Sequence, residues 1–449
     1  MPFRIKRYYG YTVITLVALV MPFITIGGNH IFLLSFDKKQ LQLLGTAFDM
    51  QELYMMPFLL MLLFIGIFAA TTIGGRVFCG WGCPQTIFRV IYRDFIETKL
   101  LKLRKRISNK QKEPDYSDKK NILKRIIALL LWSILASIAA ADFIWYFVPP
   151  EDFFNYMMNP SEHHVVLGMF LTISLFLIYD VIFLKEDFCI YICPYSRIQS
   201  VLYDTNTLQA IYNPNRGGKI YNKEKEKLVF KPKDLQEESN ECTTCEKCVT
   251  VCPTHIDIRK GLQLECINCL ECVDACTTVM GKLGKDSLVQ WSSDHAITTK
   301  EKTKIFRTTT YMYIVALLAI FSMLFIMGGT KKYMILDITK GQRLFKVRDN
   351  HEVTNDYIML FKNTEPNHHT YKLEVIGEYS DKIEIKRFKE ASLDAGRSTK
   401  DVLILSTTQK LKEGNNEIQI KAYSTSEPQR VFLLKKLTFI YPNKNKLKR

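Results

Sequence analysis

The chain has 449 residues, 47% of them hydrophobic and 24% charged, with a formal net charge of +16. That length allows two or three domains, and the uneven spread of apolar residues excludes an ordinary single soluble core. The positive excess does not point to nucleic acid. Much of it flanks apolar segments, where positive-inside bias and anionic headgroups account for it, and no aromatic-and-basic reader motif is present.

Taken from the amino terminus, five segments approach the roughly 20 apolar residues that a spanning helix requires. They are 11–34, 53–73, 122–148, 165–184 and 311–328. The first carries Gly27, Gly28, Asn29 and His30 near its far end, the mark of an interfacial or interior-facing turn. Arg4, Lys6 and Arg7 precede the first segment, and Arg89, Arg93, Lys99, Lys102, Arg104, Lys105 and Arg106 follow the second. By contrast, "PPEDFFNYMMNPSEH", between the third and fourth, has no lysine or arginine. Basic residues in short loops resist translocation, so the amino terminus, the basic loop and residues 185–307 are expected on the cytoplasmic side of a bacterial inner membrane. The tail after Thr330 is then expected outside. A cleavable signal peptide is not expected, because the early apolar stretch is long and lacks a small-residue cleavage pattern.

Two stretches between the spans repeat each other. "FCGWGCPQTIFRVIYRD", 78–94, returns in outline as "FCIYICPYSRIQSVLYD", 188–204. Cys79 and Cys83 are followed by Pro84, and Cys189 and Cys193 by Pro194. Proline suits the first turn of a helix, so each second cysteine is expected to precede one. The unpaired amides and positive dipole end of that helix should favour the thiolate there. Related by such a repeat, Cys79, Cys83, Cys189 and Cys193 are expected to converge on one four-thiolate site at the membrane surface. Cu(I), zinc and a further iron–sulfur cluster all suit soft thiolates. Buried apolar cysteines, or a transient redox-active disulfide within each pair, are the plainer readings. The segment "KLRKRISNKQKEPDYSDKK", 102–120, reads as a solvated linker or amphipathic surface segment. A second solvated stretch, 212–240, is expected to let the region that follows dock back against the membrane cysteines.

The strongest motif comes next. "CTTCEKCVTVCP" and "CINCLECVDACT" both have the spacing C-x2-C-x2-C-x3-C of two-cluster bacterial ferredoxins. Three closely spaced thiolates reach three irons of one cubane, and the fourth, leaving on a helical turn, points to the other cluster. Cys242, Cys245, Cys248 and Cys276 are therefore assigned to one [4Fe-4S] cluster, and Cys266, Cys269, Cys272 and Cys252 to the second. Pro253 follows the fourth cysteine of the first run, but Thr277 stands at the matching place in the second. Four thiolates also suit zinc, a reading that two interlocked runs disfavour. Clusters of this kind relay single electrons. His255, three residues past Cys252, is a candidate for tuning or shielding a cluster, or else an ordinary surface histidine.

Beyond the fifth span the chain turns to short alternating and β-branched runs such as "DYIMLFKN", "DVLILS" and "NEIQIKAY". This pattern predicts a β-sandwich resembling an immunoglobulin fold without its disulfide, since no cysteine lies there. In the outer loop Met157, Met158, His163 and His164 are soft or borderline ligands able to capture copper, or side chains that simply pack at the interface. No glycine fingerprint for a nucleotide or flavin is apparent, so reducing equivalents are expected from a separate cytoplasmic donor.

The fold class expected is a multidomain membrane protein: a five-helix transmembrane bundle, an inserted ferredoxin-like α+β domain with two [4Fe-4S] clusters, and a C-terminal all-β immunoglobulin-like sandwich. Its divisions are a cytoplasmic amino terminus (1–10), four helices with the two C-x3-C-P motifs (11–211), the ferredoxin-like domain (212–307), a fifth helix (308–330) and the outer domain (331–449). Through "FCGWGCPQT", "CIYICPYSRIQS", "CTTCEKCVTVCP" and "CINCLECVDAC" the chain resembles, over nearly its whole length, the cytochrome c oxidase accessory protein family, CcoG, also called FixG or RdxA. The resemblance implies an inner-membrane protein linked to assembly of cbb3-type cytochrome c oxidase, which reduces Cu(II) to Cu(I). It implies copper as the substrate ion and oxidase assembly factors or copper chaperones as partners beside membrane lipid; joined to the repeat, it makes the site around Cys79, Cys83, Cys189 and Cys193 the expected place of reduction. A quinol dehydrogenase subunit resembling NapH, which shares the paired membrane cysteines, is the second reading. A non-redox assembly scaffold is the third.

Overall fold

The computed structural model describes residues 1–443 except 37–39, 50–54, 223, 225, 236–238, 329–333, 342, 349–351, 365–367, 389 and 395–396. The chain forms two compact units, one of residues 1–24 and 30–325, the other of 25–29 and 326–449. The expected start of the second span, at Leu53, and the expected boundary at 330 fall outside the described residues.

Four helices among the described residues are long and apolar enough to cross a membrane: Met56–Gly74, Lys119–Trp145, His164–Leu184 and Thr308–Met327. The five expected spans are thereby corrected to four. The first helix, Phe3–Val20, begins with Arg4, Lys6 and Arg7, and its apolar part is only about half of what a bilayer requires. Past it the expected span breaks up, because Pro22 enters a short 3-10 turn and Gly27 and Gly28 take positive φ. A three-stranded antiparallel meander, Phe32–Ser35, Gln40–Leu43 and Thr46–Asp49, replaces the rest. The first helix nonetheless runs beside the others. At its start the Phe3 and Arg4 amides donate to Asp274, and near its end the Ala18 carbonyl accepts from the Tyr146 hydroxyl at 2.8 Å.

Lys119–Trp145 packs on His164–Tyr179 along a stripe of buried Ala128, Trp132, Ala136 and Ala140. Small side chains there let two backbones approach, which is how helices associate when lipid supplies no hydrophobic contrast. The opposite faces are apolar and exposed, as Leu130, Ile134 and Ile138 illustrate, and suit acyl chains.

Between the third and fourth of these helices lies a small α+β fold. Its two-stranded antiparallel sheet pairs Gln209–Tyr212 with Val289–Ser292, and each cysteine run enters a helix, Lys247–Thr250 and Glu271–Gly281. The sequence repeat is also a conformational one: Thr244 and Glu246 have φ of 49° and 54°, and their counterparts Asn268 and Leu270 have 52° and 61°. The stretch 212–240 is more than a solvated lead-in, since Ile220 and Val229 are buried in this core beside Leu270 and Met280.

The second unit is a β-sandwich. One sheet orders Glu384–Arg387, Ser398–Thr407, Val353–Asn363 and Met334–Lys340, and the other Ala391–Leu393, His369–Ile376, Gly414–Ser424 and Phe432–Tyr441. The pairings are antiparallel. Inward residues such as Phe361, Leu403, Ile420 and Phe439 form its core. Hydroxyls tie the layers together, Tyr357 donating to the Thr438 carbonyl at 2.7 Å and Tyr371 to Asn363 Oδ1 at 2.8 Å.

Candidate functional site

All twelve cysteines are free thiols. Cys242, Cys245, Cys248 and Cys276 line one pocket, walled by Tyr212, Arg259 and Met280. Cys242 and Cys245 come from one loop, Cys248 from the helix Lys247–Thr250 that follows it, and Cys276 from the helix of the other run. Cys252, Cys266, Cys269 and Cys272 form the second group. Burial raises the Cys252, Cys266 and Cys272 thiols, that of Cys266 to about 12, and the nearby sulfurs of the same group raise them further. Four buried thiolates repel one another unless a cation sits among them, so the donor set fits a cationic iron–sulfur core. Among the described residues no three His, Cys, Asp or Glu side chains close on one point as a single ion demands. A cubane, which binds each thiolate at a different corner, does not need them to.

The membrane repeat folds as its prolines predict. Pro84–Val90 and Pro194–Val201 are helices whose N-caps are Cys83 and Cys193. The four cysteines share one neighbourhood, because the Cys79 thiol feels Cys83 and Cys193, and the Cys189 thiol feels all three others. The expected thiolate preference at the helix start is corrected at Cys83. The Gln85 and Thr86 amides do hydrogen-bond to it and lower its pKa, yet burial outweighs them and the thiol is raised. Burial likewise lifts Cys79 to about 11, against a hydrogen bond from Gln199 and the charge of Arg76. Gln199 is fully buried, and its Nε2 stands 3.3 Å from Cys79 Sγ. Arg76 is fixed by donating to the Ser196 carbonyl.

These thiols abut the ferredoxin fold directly. Trp81 Nε1 donates to the Asn268 carbonyl at 3.3 Å, and a shared cavity runs from Cys189 and Glu186 to Pro253 and Ile267. The loop 102–120 is not a free linker. Arg104 pairs with Glu97 and Glu113, while Lys110 is buried and pairs with Glu271, which Arg7 also holds at 3.2 Å. Burial opposes the Glu271 charge, but Lys110 and then Arg7 hold its carboxyl below the usual range.

Beside the membrane thiols, Glu186 accepts from Arg93 at 2.6 Å and from Arg89 at 3.1 Å. Burial alone would raise its carboxyl; Arg89 and Arg93 pull it down to about 2 from 4.5. A depressed acid stabilises the fold fully above its unfolded pKa and loses that contribution as pH falls toward the folded value. The contribution here is about 3 kcal/mol. Glu186→Gln is expected to lower the thermal midpoint of the metal-free chain in detergent at pH 7, with the difference from wild type shrinking below pH 4.5. A difference that stays constant down to pH 3 would contradict it.

The remaining candidates do not assemble. His163 stacks on Tyr156 with centroids 3.8 Å apart, Met157 packs under Trp145 and Phe153, and Met158 is exposed. His255 Nδ1 lies 2.8 Å from Gln111 Oε1, on the basic loop. Sequence reasoning missed Arg76, Gln199, Asn268, Gly80 and the Arg7–Glu271–Lys110 network. Differences between the paired repeats, such as Gly80 against Ile190 and Asn268 against Thr244, were the available signal.

Three family models match the chain. A 4Fe-4S dicluster domain covers residues 184–294, a 4Fe-4S binding domain covers 56–107, and the model for the "IG-like fold at C-terminal of FixG" covers 324–442. The second of these spans Cys79 and Cys83. Among curated proteins, the nitrogen fixation protein FixG of Rhizobium meliloti is 31% identical over 55% of this chain and 46% of its own length. Protein RdxB of Cereibacter sphaeroides is 31% identical over 52% and 47%, and protein RdxA of the same organism 27% over 54% and 49%. The chain thus spans about half the length of the curated relatives it matches. A crystal structure of a FixG-related protein from Vibrio parahaemolyticus aligns to 24% of this chain and 97% of its own, at 17% identity and a TM-score of 0.22.

Proposed function

We propose, for a chain that belongs to the FixG and RdxA family of membrane iron–sulfur electron-transfer proteins, that it reduces Cu(II) to Cu(I) for the assembly of a cbb3-type cytochrome c oxidase. The observation that carries this reading is the convergence of Cys79, Cys83, Cys189 and Cys193 against a ferredoxin fold with eight further cysteines. Two [4Fe-4S] clusters, one held by Cys242, Cys245, Cys248 and Cys276 and one by Cys252, Cys266, Cys269 and Cys272, supply one-electron transfer when bound. The membrane-end thiols offer neighbouring soft donors, no three of which close on a single point, and soft donors favour the cuprous product. Each Cu²⁺ takes one electron, furnished by a soluble low-potential one-electron carrier, and no bond to carbon is made or broken. Buried Gln199 and Arg76 orient and polarise Cys79 there. Assembly factors or copper chaperones receive the ion.

The sidedness belongs to the same proposal. The first helix starts at the ferredoxin fold and ends near Tyr146; in this reading it carries the chain to the far face although its apolar part is too short to count among the four spans, which leaves the amino terminus, residues 76–118 and residues 185–307 together on one face of the inner membrane. Their lysines and arginines favour the cytoplasmic face, which puts the sandwich in the periplasm.

The test uses the full chain purified without oxygen, with iron, sulfide and copper counted. About eight irons are expected per chain. The dithionite-reduced protein, freed of excess reductant, is then mixed with Cu²⁺ and a cuprous chelator, and one Cu⁺ should form per stored electron. A count of about twelve irons would place a third cluster on the membrane thiols, the occupant that the 4Fe-4S model over residues 56–107 favours. Reoxidation by a quinone with no Cu⁺ formed would replace the copper reading with that of a quinol dehydrogenase subunit.

A further inference from the structure

The chain contains two internal repeats, and each is broken at one informative place. In the membrane repeat Gly80 stands where the second copy has Ile190, and in the ferredoxin repeat Asn268 stands where the first copy has Thr244. The two odd members meet. A β-carbon on Gly80 would lie 2.5 Å from the Ile267 carbonyl oxygen and 3.1 Å from that of Asn268, so only glycine lets the loop Cys266–Cys269 come this close. The backbone itself does not demand asparagine, because Thr244 holds nearly the same φ as Asn268. What differs is the amide. Asn268 Nδ2 donates to the Gly74 carbonyl at 2.6 Å and to that of Leu208 at 3.2 Å, and its Oδ1 accepts from the Ala210 amide at 2.9 Å. It thereby ties the second cysteine run to the end of the helix Met56–Gly74, two residues before Arg76.

Two side chains one turn apart on the first helix strap the same contact. Tyr11 donates to the Gly80 carbonyl, Arg7 Nη1 to the Cys269 carbonyl at 2.7 Å, and Arg7 Nε to the Tyr11 hydroxyl at 3.0 Å. The charge of Arg76 reaches both Cys79 and Cys266. At the other run Cys245 is the exposed cysteine among the twelve.

We infer that Asn268 and Gly80 are positioning residues that dock the Cys266–Cys272 half of the ferredoxin fold onto the membrane-end thiols, leaving the Cys242–Cys248 half, with exposed Cys245, to face a soluble carrier. The inference rests on the electron-transfer reading above but not on copper as the acceptor. It assigns different roles to two runs that look equivalent in sequence.

Asn268→Thr, which copies the other repeat, and Gly80→Ala are to be compared with wild type in the full chain. Both variants are expected to keep wild-type iron, sulfide and electron paramagnetic resonance midpoint potentials. Amide exchange at Ala210 is expected to quicken in Asn268→Thr, whether or not iron is bound. Reoxidation of the reduced protein is then followed with three acceptors: Cu²⁺ and ferricyanide, each taking one electron, and a short-chain quinone, taking two electrons and two protons. The variants are expected to slow oxidation by Cu²⁺ or quinone several-fold or more, since electron transfer weakens steeply with each ångström added between donor and acceptor. Ferricyanide, which reaches the Cys245 face, is expected to act at the wild-type rate.

If quinone but not Cu²⁺ oxidises wild type, and the variants slow it, the copper reading falls and the docking stands. Wild-type rates in both variants would overturn the docking, and so would a wild type that neither Cu²⁺ nor quinone oxidises. Should Gly80→Ala fail to fold, Asn268→Thr decides alone; loss of iron in that variant would mean a structural role and also overturn the proposal.

Discussion

Replacing Cys83 and Cys193 together by serine is expected to leave about eight irons and both cluster signals in place while Cu²⁺ reduction falls by on the order of 100-fold or more. The expectation follows from where the two residues sit. Each caps a helix that begins at a proline, and each lies within electrostatic reach of Cys79 and Cys189 but outside both groups of ferredoxin cysteines. Serine keeps the cap and its hydrogen-bonding capacity, so the helices Pro84–Val90 and Pro194–Val201 should persist. What is lost is the soft donor, and an alcohol at neutral pH neither ionises nor favours Cu⁺ over Cu²⁺. Ferricyanide reduction serves as the internal control, because it does not require these thiols. If the double variant still reduces Cu²⁺ at the wild-type rate, the reaction takes place elsewhere. If iron falls to about eight from about twelve, the thiols were holding a cluster.

The second large effect is expected at Glu271. Glu271→Ala should destabilise the ferredoxin fold by about 3–5 kcal/mol, the usual consequence of removing one partner from a buried ion cluster. Arg7 and Lys110 are almost fully buried, come from the first helix and the basic loop, and both pair with Glu271 Oε1. Without the carboxylate, two buried cations lose the partner they share, and Asp94, the other carboxylate that Lys110 acts on, is already paired with Arg93. The measurement is loss of cluster absorbance in a denaturant or thermal ramp. Replacing all three residues by apolar side chains of similar size, Arg7→Met, Lys110→Met and Glu271→Leu, is expected to recover most of the stability, since the cost lies in the orphaned charges more than in the lost pairing. The triple variant also removes the Arg7 hydrogen bond to the Cys269 carbonyl, so it tests whether that strap matters for electron transfer independently of stability. A Glu271→Ala variant as stable as wild type would show that water reaches these groups.

Much of this protein was legible before folding was considered. Two C-x2-C-x2-C-x3-C runs fix ligand type and number because a cubane needs thiolates at short, regular spacing, whatever surrounds them. The prolines after Cys83 and Cys193 announced helix starts, for a reason confined to one residue's backbone. Alternation in runs such as Val353–Asn363 announced a sandwich, since period two is a property of a single strand. The first span was misjudged where two local signals conflict: hydrophobic residues continue to Leu34, but Pro22, Gly27 and Gly28 end the helix at Val20.

Charge was the least legible feature. The stretch 102–120 reads as solvated because lysine and arginine prefer water, yet Lys110 and Arg104 are buried against carboxylates from distant parts of the chain. Likewise the helix-start amides at Cys83 are visible in sequence, while the burial that outweighs them is not. The sequence by itself determined where the cysteines cluster, four of the apolar helices and the strand-rich tail, because each rests on residues near one another along the chain. Only the tertiary structure decided which ferredoxin run faces the membrane thiols. That choice depends on a missing side chain at Gly80, which admits the Ile267 and Asn268 carbonyls, and on the Asn268 amide, which ties the same loop to Gly74; fit between residues so distant along the chain leaves no periodic trace.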